Sequence, residues 1–525
     1  MTHACVVGSG PTGLTCAYIL LKRGIRVTML DFGNIPKGAA HENIDRYQTN
    51  VNRDDLISVK DLKLNRRSRE TDIIPTRADF IFNYFYADTH QFIIGQKTNA
   101  IANISLAMGG LSNLWGGAIL PATAPDIADW PISLDDLKPF YQEILEFMPL
   151  SAVDDGLARK FEFHAGRPHN FPLGPQAAEL LGDLESSQPD LESSGIYFGR
   201  AKLAIDPGLP VSHPNYTYGA IFNSAVAMKN LMKNENFKYI PEIFVKEIKE
   251  SGEEVQIVYA RKVDSAEQVF KADRVFIACG PIATMQIILK SLRIHEKEFE
   301  LKSNQNVIFP FFRYNRHTGI SRRPPENIIQ LFIDMNNWET DHKFAHIQVY
   351  QYGDYVLEPV RRILGRLTPL FAAVTRPFLE RIMILQSILH SDSSDRVAIK
   401  LSFKKNENAW KVDLQGRNNP RTPEACRKVL DVLNRHRSQL RGCVLKSILF
   451  IDPPGASNHM GGAFPMRAKP NEYETDLLGR LPKLQRTHIV DSTILPSLPA
   501  TPFTYTIMAN AARISTLAAE QLSRN

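Results

Sequence analysis

Three glycines and one carboxylate near the start of the chain have the spacing of a dinucleotide-binding turn. Gly8, Gly10 and Gly13 form a G-x-G-x-x-G pattern, and Asp31 ends the apolar stretch that follows. The first glycine permits a tight bend, the second lets backbone approach a pyrophosphate, and the third lets helix and strand pack closely. A carboxylate at the position of Asp31 accepts hydrogen bonds from ribose hydroxyls. The pattern predicts a bound dinucleotide, the alternative being a plain glycine turn.

The elements around these residues are the ones that such a turn requires. Residues 4–7 predict a strand, residues 14–22 an apolar helix, and residues 26–30 a second strand. Pro11 and Thr12 fall at the start of the helix, where unpaired N–H groups and the positive end of the helix dipole attract phosphate. The order strand, turn, helix, strand is typical of a βαβ unit.

Two further segments could hold a flat cofactor and its substrate. In residues 108–117, four glycines surround one tryptophan, which lets the backbone run close beneath a ring system. Near the end of the chain, residues 455–462 place one histidine among glycines, and residues 490–492 and 499–503 follow. The chain has no second G-x-G-x-x-G pattern, so it lacks the second nucleotide fold of flavin-dependent pyridine-nucleotide reductases. The opening turn alone leaves both FAD and NAD open.

In these segments, and in residues 278–281 (Ala-Cys-Gly-Pro), the chain resembles the glucose-methanol-choline (GMC) oxidoreductases. This family consists of FAD-dependent alcohol oxidases and dehydrogenases. The matching motifs occur in the family's order at both ends and in the middle, and residues 108–117 are most similar to the pyranose oxidases. The resemblance implies an enzyme that oxidises a CH–OH group to a carbonyl.

The resemblance also implies roles for individual residues. His459 takes the hydroxyl proton while the carbinol carbon gives hydride to flavin N5. An imidazole suits this role because its ordinary pKa of about 6.5 leaves it largely neutral near pH 7; a structural histidine is the alternative. Many relatives place a second His or Asn where this chain has Thr501, whose hydroxyl can orient a substrate oxygen or simply belong to a turn. Asn458 is a weaker substitute for that second residue.

The implied cofactor is FAD, held without a covalent bond. Leu114 stands where some pyranose-oxidase-like relatives have a flavin-linking histidine, and leucine cannot form that bond. This favours a dehydrogenase that passes electrons to a quinone, dye or protein, although oxygen stays open as the acceptor. Gly461 and Gly462 are expected to let backbone approach the flavin. The predicted cofactor-binding residues are Gly8, Gly10, Pro11, Thr12, Gly13, Asp31, Gly109, Gly110, Ser112, Asn113, Leu114, Trp115, Gly116, Val245, Cys279, Gly280, Asp491, Ser492, Pro502 and Phe503.

The predicted fold class is α/β, and α+β overall. A Rossmann-like FAD-binding domain is expected from residues 1–135, 196–300 and 451–525. Residues 301–450 alternate between apolar and polar side chains in several stretches, which indicates antiparallel strands. Together with residues 136–195 they are expected to form an inserted antiparallel-sheet substrate domain.

Composition excludes several classes of protein. The net charge of +6 comes without a dense Lys/Arg run, so nucleic acid is not expected as a partner. The five cysteines are scattered and include no C-x-x-C pair, which predicts reduced thiols, a cytoplasmic location and no metal site. No apolar run is long enough to span a bilayer.

Residues 361–389 differ from their surroundings because many aliphatic side chains are accompanied by five arginines. Two short helices separated near Pro377 would carry a broad apolar face. That face either packs on the antiparallel sheet or forms a lip at the mouth of the site, where it contacts a membrane or a lipid-bearing substrate.

The substrate is the part that the sequence constrains least. Similarity to pyranose oxidases favours a sugar or a carrier-linked sugar, and a sterol or other hydrophobic alcohol is the next alternative. A flavin enzyme that performs an internal redox reaction or a decarboxylation is a further hypothesis. The position of Thr501 also motivates a flavin-binding protein without turnover.

Overall fold

The computed structural model describes residues 2–34, 88–162, 167–168, 173–206, 221–318, 320, 329–337, 341–352 and 368–524. The helices within these ranges are Pro11–Lys22, Thr89–Phe92, Lys138–Ile144, Pro175–Ser186, Gln188–Ser193, Ser224–Leu231, Pro281–Ser291, Thr368–Leu379, Thr422–Arg435 and Thr504–Arg524. Three of them begin with proline, whose fixed φ and missing N–H suit the first helical position.

A five-stranded parallel sheet forms the Rossmann-like part of the fold. Its strands are ordered Thr487–Ile489, Arg274–Ile277, His3–Val7, Arg26–Leu30 and Phe237–Ile240. The central strands are almost entirely buried aliphatic side chains, as expected for a sheet covered on both faces. The predicted βαβ opening is confirmed, because His3–Val7 pairs in parallel with Arg26–Leu30 around helix Pro11–Lys22.

Three other sheets complete the architecture. A three-stranded antiparallel sheet contains Ile243–Ser251, Glu254–Arg261 and Asp264–Ala272. A five-stranded sheet has the order Met460–Gly461, Glu298–Ser303, Arg396–Lys404, Ala409–Arg417, Ile94–Thr98. A seven-stranded antiparallel sheet contains Gly442–Val444, Gln305–Arg313, Ile382–Leu389, Asp341–Gln351, Leu331–Asn337 and Ile196–Arg200, with Phe450–Ile451 paired to Gln305–Arg313. Ser151–Ala152 pairs with Arg167–Pro168.

The seven-stranded sheet, which we call the substrate sheet, carries one wall of the site described below. Its outer face packs against helices Pro175–Ser186 and Thr422–Arg435 in a core of its own. The five-stranded parallel sheet and the five-stranded sheet that contains Arg396–Lys404 share a second core. The predicted domain boundaries remain a prediction, but Ile196–Arg200 pairs within the substrate sheet and Arg396–Lys404 packs with the nucleotide-binding core.

The expectation of two helices across residues 361–389 is wrong. Residues 361–367 lie outside the described ranges, Thr368–Leu379 is a helix that contains Pro377, and Ile382–Leu389 is an inner strand of the substrate sheet. That strand has the sequence IMILQSIL, and seven of its eight residues are buried or nearly so. A short continuous apolar run fits a doubly covered strand as well as a helix, so periodicity could not separate the two.

Candidate functional site

One cavity of about 550 Å³ brings the predicted motifs together with the substrate sheet. Its volume lies within the range of ligand cavities. The predicted residues that line it are Gly8, Gly10, Pro11, Thr12, Asp31, Gly110, Ser112, Leu114, Trp115, Gly116, Val245, Cys279, Gly280, Asp491, Ser492, Pro502, Phe503, Asn458 and His459.

Two glycines leave open space where a pyrophosphate would lie. A Cβ atom built on Gly10 or on Gly280 meets no atom within 4 Å, and both residues face the cavity. Each one directly precedes a helix, Pro11–Lys22 or Pro281–Ser291. The unpaired N–H groups of two helix N-termini therefore border the same space, which fits a dinucleotide.

The other two glycines of the opening turn act by packing. A Cβ on Gly13 would lie 2.0 Å from the Gly8 carbonyl oxygen, so only glycine lets the helix approach the strand. Gly8 has φ +100° and a Cβ there would lie 2.6 Å from the Ala278 carbonyl oxygen. Gly13 is not part of the cavity wall, which agrees with the packing role predicted for it.

Asp31 connects the two glycine-rich segments. Its carboxylate accepts hydrogen bonds from the Ser9 hydroxyl and from Tyr239 Oη, the latter at 2.9 Å. Ser9 Oγ in turn accepts the backbone N–H of Gly109 at 2.8 Å. Burial raises the pKa of Asp31 to about 6, although these hydroxyl donors oppose the shift.

The second glycine segment is held by its own polar side chains. Asn113 Nδ2 donates to the carbonyl oxygens of Met108 and Gly110, and Ser112 Oγ donates to that of Gly109 at 2.6 Å. Trp115 Nε1 donates to a backbone carbonyl at 2.7 Å while its ring faces the cavity. Gly109 and Asn113 shape the loop from outside the wall, because Gly109 packs against Ala225 and the Asn113 amide bonds the loop backbone.

Cys279 and Asp491 both line the cavity near the start of helix Pro281–Ser291. Burial raises the pKa of the Cys279 thiol, and the carboxylates of Asp491 and Asp31 add to the shift, so this thiol stays protonated. Asp491 accepts a hydrogen bond from Thr284 Oγ1 at 2.5 Å, and burial raises its pKa.

Ser492 connects this region to the histidine segment, since its hydroxyl donates to the Met460 carbonyl at 2.6 Å. Gly461 and Gly462, which were expected to approach the flavin, lie outside the cavity wall. A Cβ on Gly461 would lie 2.2 Å from the Ser492 carbonyl oxygen, and one on Gly462 2.9 Å from the Leu495 carbonyl oxygen. Their small size serves contacts between loops, and neither lines the cavity.

The glycines and helix starts around Gly10 and Gly280 are called the dinucleotide cradle below. His459 lines the cavity between this cradle and the substrate sheet. Its ring contacts Phe503 edge-on with centroids 4.9 Å apart, and its carbonyl accepts the Asn304 N–H at 3.1 Å. Nδ1 has no hydrogen-bond partner among the described residues. Burial, reinforced by the imidazole of His346, lowers the pKa of His459 to about 4. The ring is therefore neutral at physiological pH and can accept a proton.

The structure does not bring Thr501 to the cavity. Thr501 is 4% exposed and absent from the wall, whereas Pro502 and Phe503 line it. Asn458 reaches the wall at its rim, where its side chain accepts a hydrogen bond from Asn103.

Sequence reasoning missed the wall formed by the substrate sheet. Asn306, Gln348, Tyr350 and Gln386 point into the cavity from three adjacent strands. The sequence pattern that could have indicated them is the alternation of side chains along a strand, because Gln348 and Tyr350 are two residues apart and so lie on one face. The strands were predicted, but which face meets the cofactor depends on how the sheets are arranged in space.

Beside this wall, on the same face of the sheet, lies a buried charged group that was also missed. His346, on the same face of its strand as Gln348, is fully buried with Nδ1 3.4 Å from Asp334 Oδ1. Asp334 also forms an ion pair with Lys160. Burial raises the pKa of Asp334, but Lys160 and His346 outweigh it, so the pKa is lowered and the carboxylate is charged.

Comparison with known proteins identifies the fold. A family model described as an NAD(P)-binding Rossmann-like domain matches residues 6–54. The chain is similar to the crystal structure of pyridoxine 4-oxidase from Mesorbium loti, with 13% sequence identity, a TM-score of 0.61 and 100% of each chain covered. The chain has the fold of FAD-dependent oxidoreductases. An FAD-dependent oxidoreductase from Chaetomium thermophilum is also similar, at 12% identity, a TM-score of 0.58 and 99% coverage of each chain. No curated protein matches the sequence.

These similarities confirm the predicted fold class, a Rossmann-like part combined with separate antiparallel sheets. They also agree with the predicted resemblance to FAD-dependent oxidoreductases. Among the described helices, none has both the length and the apolar character needed to cross a membrane. Within the same ranges, no cluster of three or more His, Cys, Asp or Glu side chains could hold a metal ion.

Proposed function

We propose that this chain is an FAD-dependent oxidoreductase of the glucose-methanol-choline type that oxidises a CH–OH group to a carbonyl. The observation that carries the proposal is the position of His459. Its neutral imidazole lies in one cavity with the dinucleotide cradle on one side and a polar wall of the substrate sheet on the other. A bound FAD supplies the two-electron acceptor.

The chain's own residues then have distinct tasks. The glycines and helix N-termini around Gly10 and Gly280 bind the pyrophosphate, and Asp31 binds the ribose. His459 accepts the proton of the substrate hydroxyl. Gln348 and Gln386 bind the rest of the alcohol, and Phe503 fixes the plane of the His459 ring.

We expect a polar alcohol, a carbohydrate, as the substrate, because amides and a phenol line the substrate-sheet side of the cavity, alongside Ile308 and Ile388. The similar pyridoxine 4-oxidase acts, by its name, on another polar ring alcohol. The electron acceptor is oxygen, a quinone or a protein. This alcohol oxidation differs from a flavin-binding role without turnover in requiring that a substrate reduce the bound flavin.

The role of His459 is tested by replacing it. His459→Ala is expected to slow flavin reduction by saturating alcohol about 10²–10⁴-fold while the protein retains FAD, because a general base is removed. His295→Ala is the matched control, since His295 is an exposed residue that stacks on Trp410 away from the cavity. Equal reduction rates in both variants would show that His459 is not the base.

A hydrophobic alcohol taken up at a membrane surface is the second candidate, and one feature favours it. Leu370, Val374 and Phe378 are 66%, 73% and 46% exposed along helix Thr368–Leu379. Phe378 stacks on Phe312, with ring centroids 5.0 Å apart, and Phe312 shares its face of the strand with the cavity residue Ile308. The exposed apolar side chains of helix Thr368–Leu379 thus lie next to the strand that carries part of the cavity wall.

This membrane contact is tested with the triple variant Leu370→Gln, Val374→Gln, Phe378→Gln. If the helix binds lipid, the unmodified protein sediments with vesicles of mixed neutral and anionic phospholipid and the triple variant stays in the supernatant. Absence of the unmodified protein from the vesicle pellet, with or without anionic lipid, removes this candidate.

A further inference from the structure

Gln348, Tyr350 and Gln386 form a hydrogen-bonded group on the cavity face of the substrate sheet. Gln348 and Gln386 are directly opposite each other on adjacent strands, and Tyr350 follows Gln348 on the same face. Tyr350 Oη donates to Gln348 Oε1 at 2.9 Å and lies 3.4 Å from Gln386 Oε1. One hydroxyl therefore faces both amide oxygens.

This arrangement determines which amide groups remain for a ligand. With the two oxygens turned towards Tyr350, the two Nε2 groups are left as donors. No hydrogen bond to another described residue uses Nε2 of Gln348 or Gln386. Gln348 is only 6% exposed, but its Nε2 is not one of the fully buried atoms without a partner, so the surface that it keeps faces the cavity. The pair thus presents N–H donors to an oxygen or nitrogen acceptor inside the cavity.

The charges in the cavity wall indicate which hydrogen-bond acceptors a bound ligand can carry. On the side of the substrate sheet, the described lining contains the carboxylate of Asp452 but no lysine or arginine, whereas Asp31 and Asp491 belong to the proposed cofactor half. Asp452 accepts a hydrogen bond from Asn306 Nδ2 at 3.1 Å, so one carboxylate belongs to the substrate side of the cavity. Neutral amides cannot offset the desolvation of a phosphate group, and a nearby carboxylate repels it.

We propose that Gln348 and Gln386, oriented by Tyr350, select an uncharged alcohol that carries further hydrogen-bond acceptors, and that the phosphorylated form of the same alcohol is rejected. The inference rests on the proposed alcohol oxidation and narrows it. It favours a free sugar or a heterocyclic alcohol over a sugar nucleotide or another phosphate-linked carrier.

The test compares neutral and phosphorylated partners on the FAD-loaded enzyme. The probes are glucose with glucose 6-phosphate and pyridoxine with pyridoxine 5′-phosphate, measured by calorimetric binding and by steady-state turnover. In the pair that binds, the neutral member is expected to bind at least about 10-fold more tightly. Equal or tighter binding of the phosphorylated member would overturn the proposal.

Variants assign this selectivity to the two amides. Gln348→Ala and Gln386→Ala are each expected to weaken binding of the neutral ligand about 10-fold, raising KM while kcat changes less than about twofold. Tyr350→Phe frees the amide oxygens to turn inward and is expected to weaken binding as well. Gln415→Ala, at an exposed strand position outside the cavity, is the matched control and leaves binding unchanged. Wild-type affinity in both glutamine variants would overturn the proposal.

The same data separate this inference from the proposed reaction. Glutamine-dependent binding of a neutral alcohol that never reduces the flavin would support the inference and contradict the oxidation. Reduction of the flavin that is indifferent to Gln348 and Gln386 would support the oxidation and overturn the inference. Retained FAD in each variant shows that the cofactor half of the site is intact.

Discussion

At the scale of single residues, the proposed chemistry depends on one imidazole whose surroundings keep it neutral. The His459 carbonyl accepts the Asn304 N–H, its ring contacts Phe503, and its pKa is lowered to about 4 by burial and by His346. A base that acts in its neutral form gains nothing from higher pH once it has lost its proton.

The pH dependence of the reaction follows from this low pKa. We expect kcat/KM to stay level between about pH 5.5 and 8, and to fall only below about pH 5, where His459 takes up a proton before substrate arrives. The measurement is a pH profile of flavin reduction under anaerobic conditions. An apparent pKa near 6.5 or above would contradict the burial of this imidazole.

Leu114 allows a second prediction at this scale. A leucine side chain in the cavity wall offers no nucleophile for a bond to the isoalloxazine ring. Acid precipitation of the yellow protein should therefore release all of its FAD into the supernatant. Flavin that stays with the pellet would reveal a covalent link to another residue.

The buried charges beside the wall allow a third prediction. Asp334 is 4% exposed and pairs with Lys160, which is 14% exposed. Asp334→Asn leaves Lys160 without its counter-ion and is expected to lower the free energy of unfolding by ~3 kcal/mol, measured by urea denaturation. Glu472→Gln removes the exposed ion pair with Lys483 and is expected to cause no measurable change. An unchanged free energy of unfolding in Asp334→Asn would mean that the ion pair with Lys160 does not stabilise the fold.

At the scale of elements, the sequence was most informative where a local rule determines the backbone. The turn at Gly8–Gly13 and its flanking strand and helix were predictable, because glycine spacing, apolar runs and a helix start all agree. Strand Ile382–Leu389 was mispredicted as helix, because a short aliphatic run carries no period that separates the two. Thr501 was predicted by motif position, yet its side-chain direction depends on the packing of the whole loop.

Replacing the third glycine of the turn tests how this element is built. Gly13→Ala puts a Cβ 2.0 Å from the Gly8 carbonyl oxygen, so helix and strand must separate. We expect lower stability and loss of most bound FAD, measured by flavin absorbance per protein. Gly182→Ala is the control, because its Cβ meets no atom within 4 Å in helix Pro175–Ser186. It should stabilise the protein by about 0.5–1 kcal/mol. Full FAD content in Gly13→Ala would contradict the packing role.

At the scale of the whole molecule, the site exists only where separate sheets meet. The motifs proposed to hold the cofactor are local in sequence, so the sequence could indicate them. The proposed substrate half contains Gln348, Tyr350 and Gln386, from strands whose relative order could not be read from sequence. Long-range strand pairing brings these side chains together, and no local sequence motif predicts them.

Buried histidines also couple global stability to pH. The pKa of both His459 and His488 is lowered to about 4, and burial is the main cause in each case. Below the ordinary pKa of about 6.5 these histidines are protonated in the unfolded chain but stay neutral in the folded one. The free energy of unfolding therefore falls as pH decreases from about 6.5 towards 4. Asp31, with a pKa raised to about 6, acts in the opposite direction and reduces the net fall.

The variant His488→Gln isolates part of this effect. His488 is fully buried, stacks on Phe276 and hydrogen-bonds the Leu478 carbonyl outside the cavity. We expect the loss of unfolding free energy between pH 7 and pH 5 to be smaller in the variant than in the unmodified protein, as measured by urea denaturation at constant FAD. An identical pH dependence would show that His488 is not a neutral histidine in the fold.

Alcohol oxidation by this chain is best tested with an anaerobic absorbance spectrum of the purified protein, before and after addition of neutral sugars and heterocyclic alcohols. We expect the two visible bands of oxidised FAD, bleached by at least one of these alcohols in the unmodified protein and far more slowly in His459→Ala. Absence of flavin bands after FAD is supplied would contradict the cofactor assignment. Bleaching at the same rate in both proteins would contradict the role of His459.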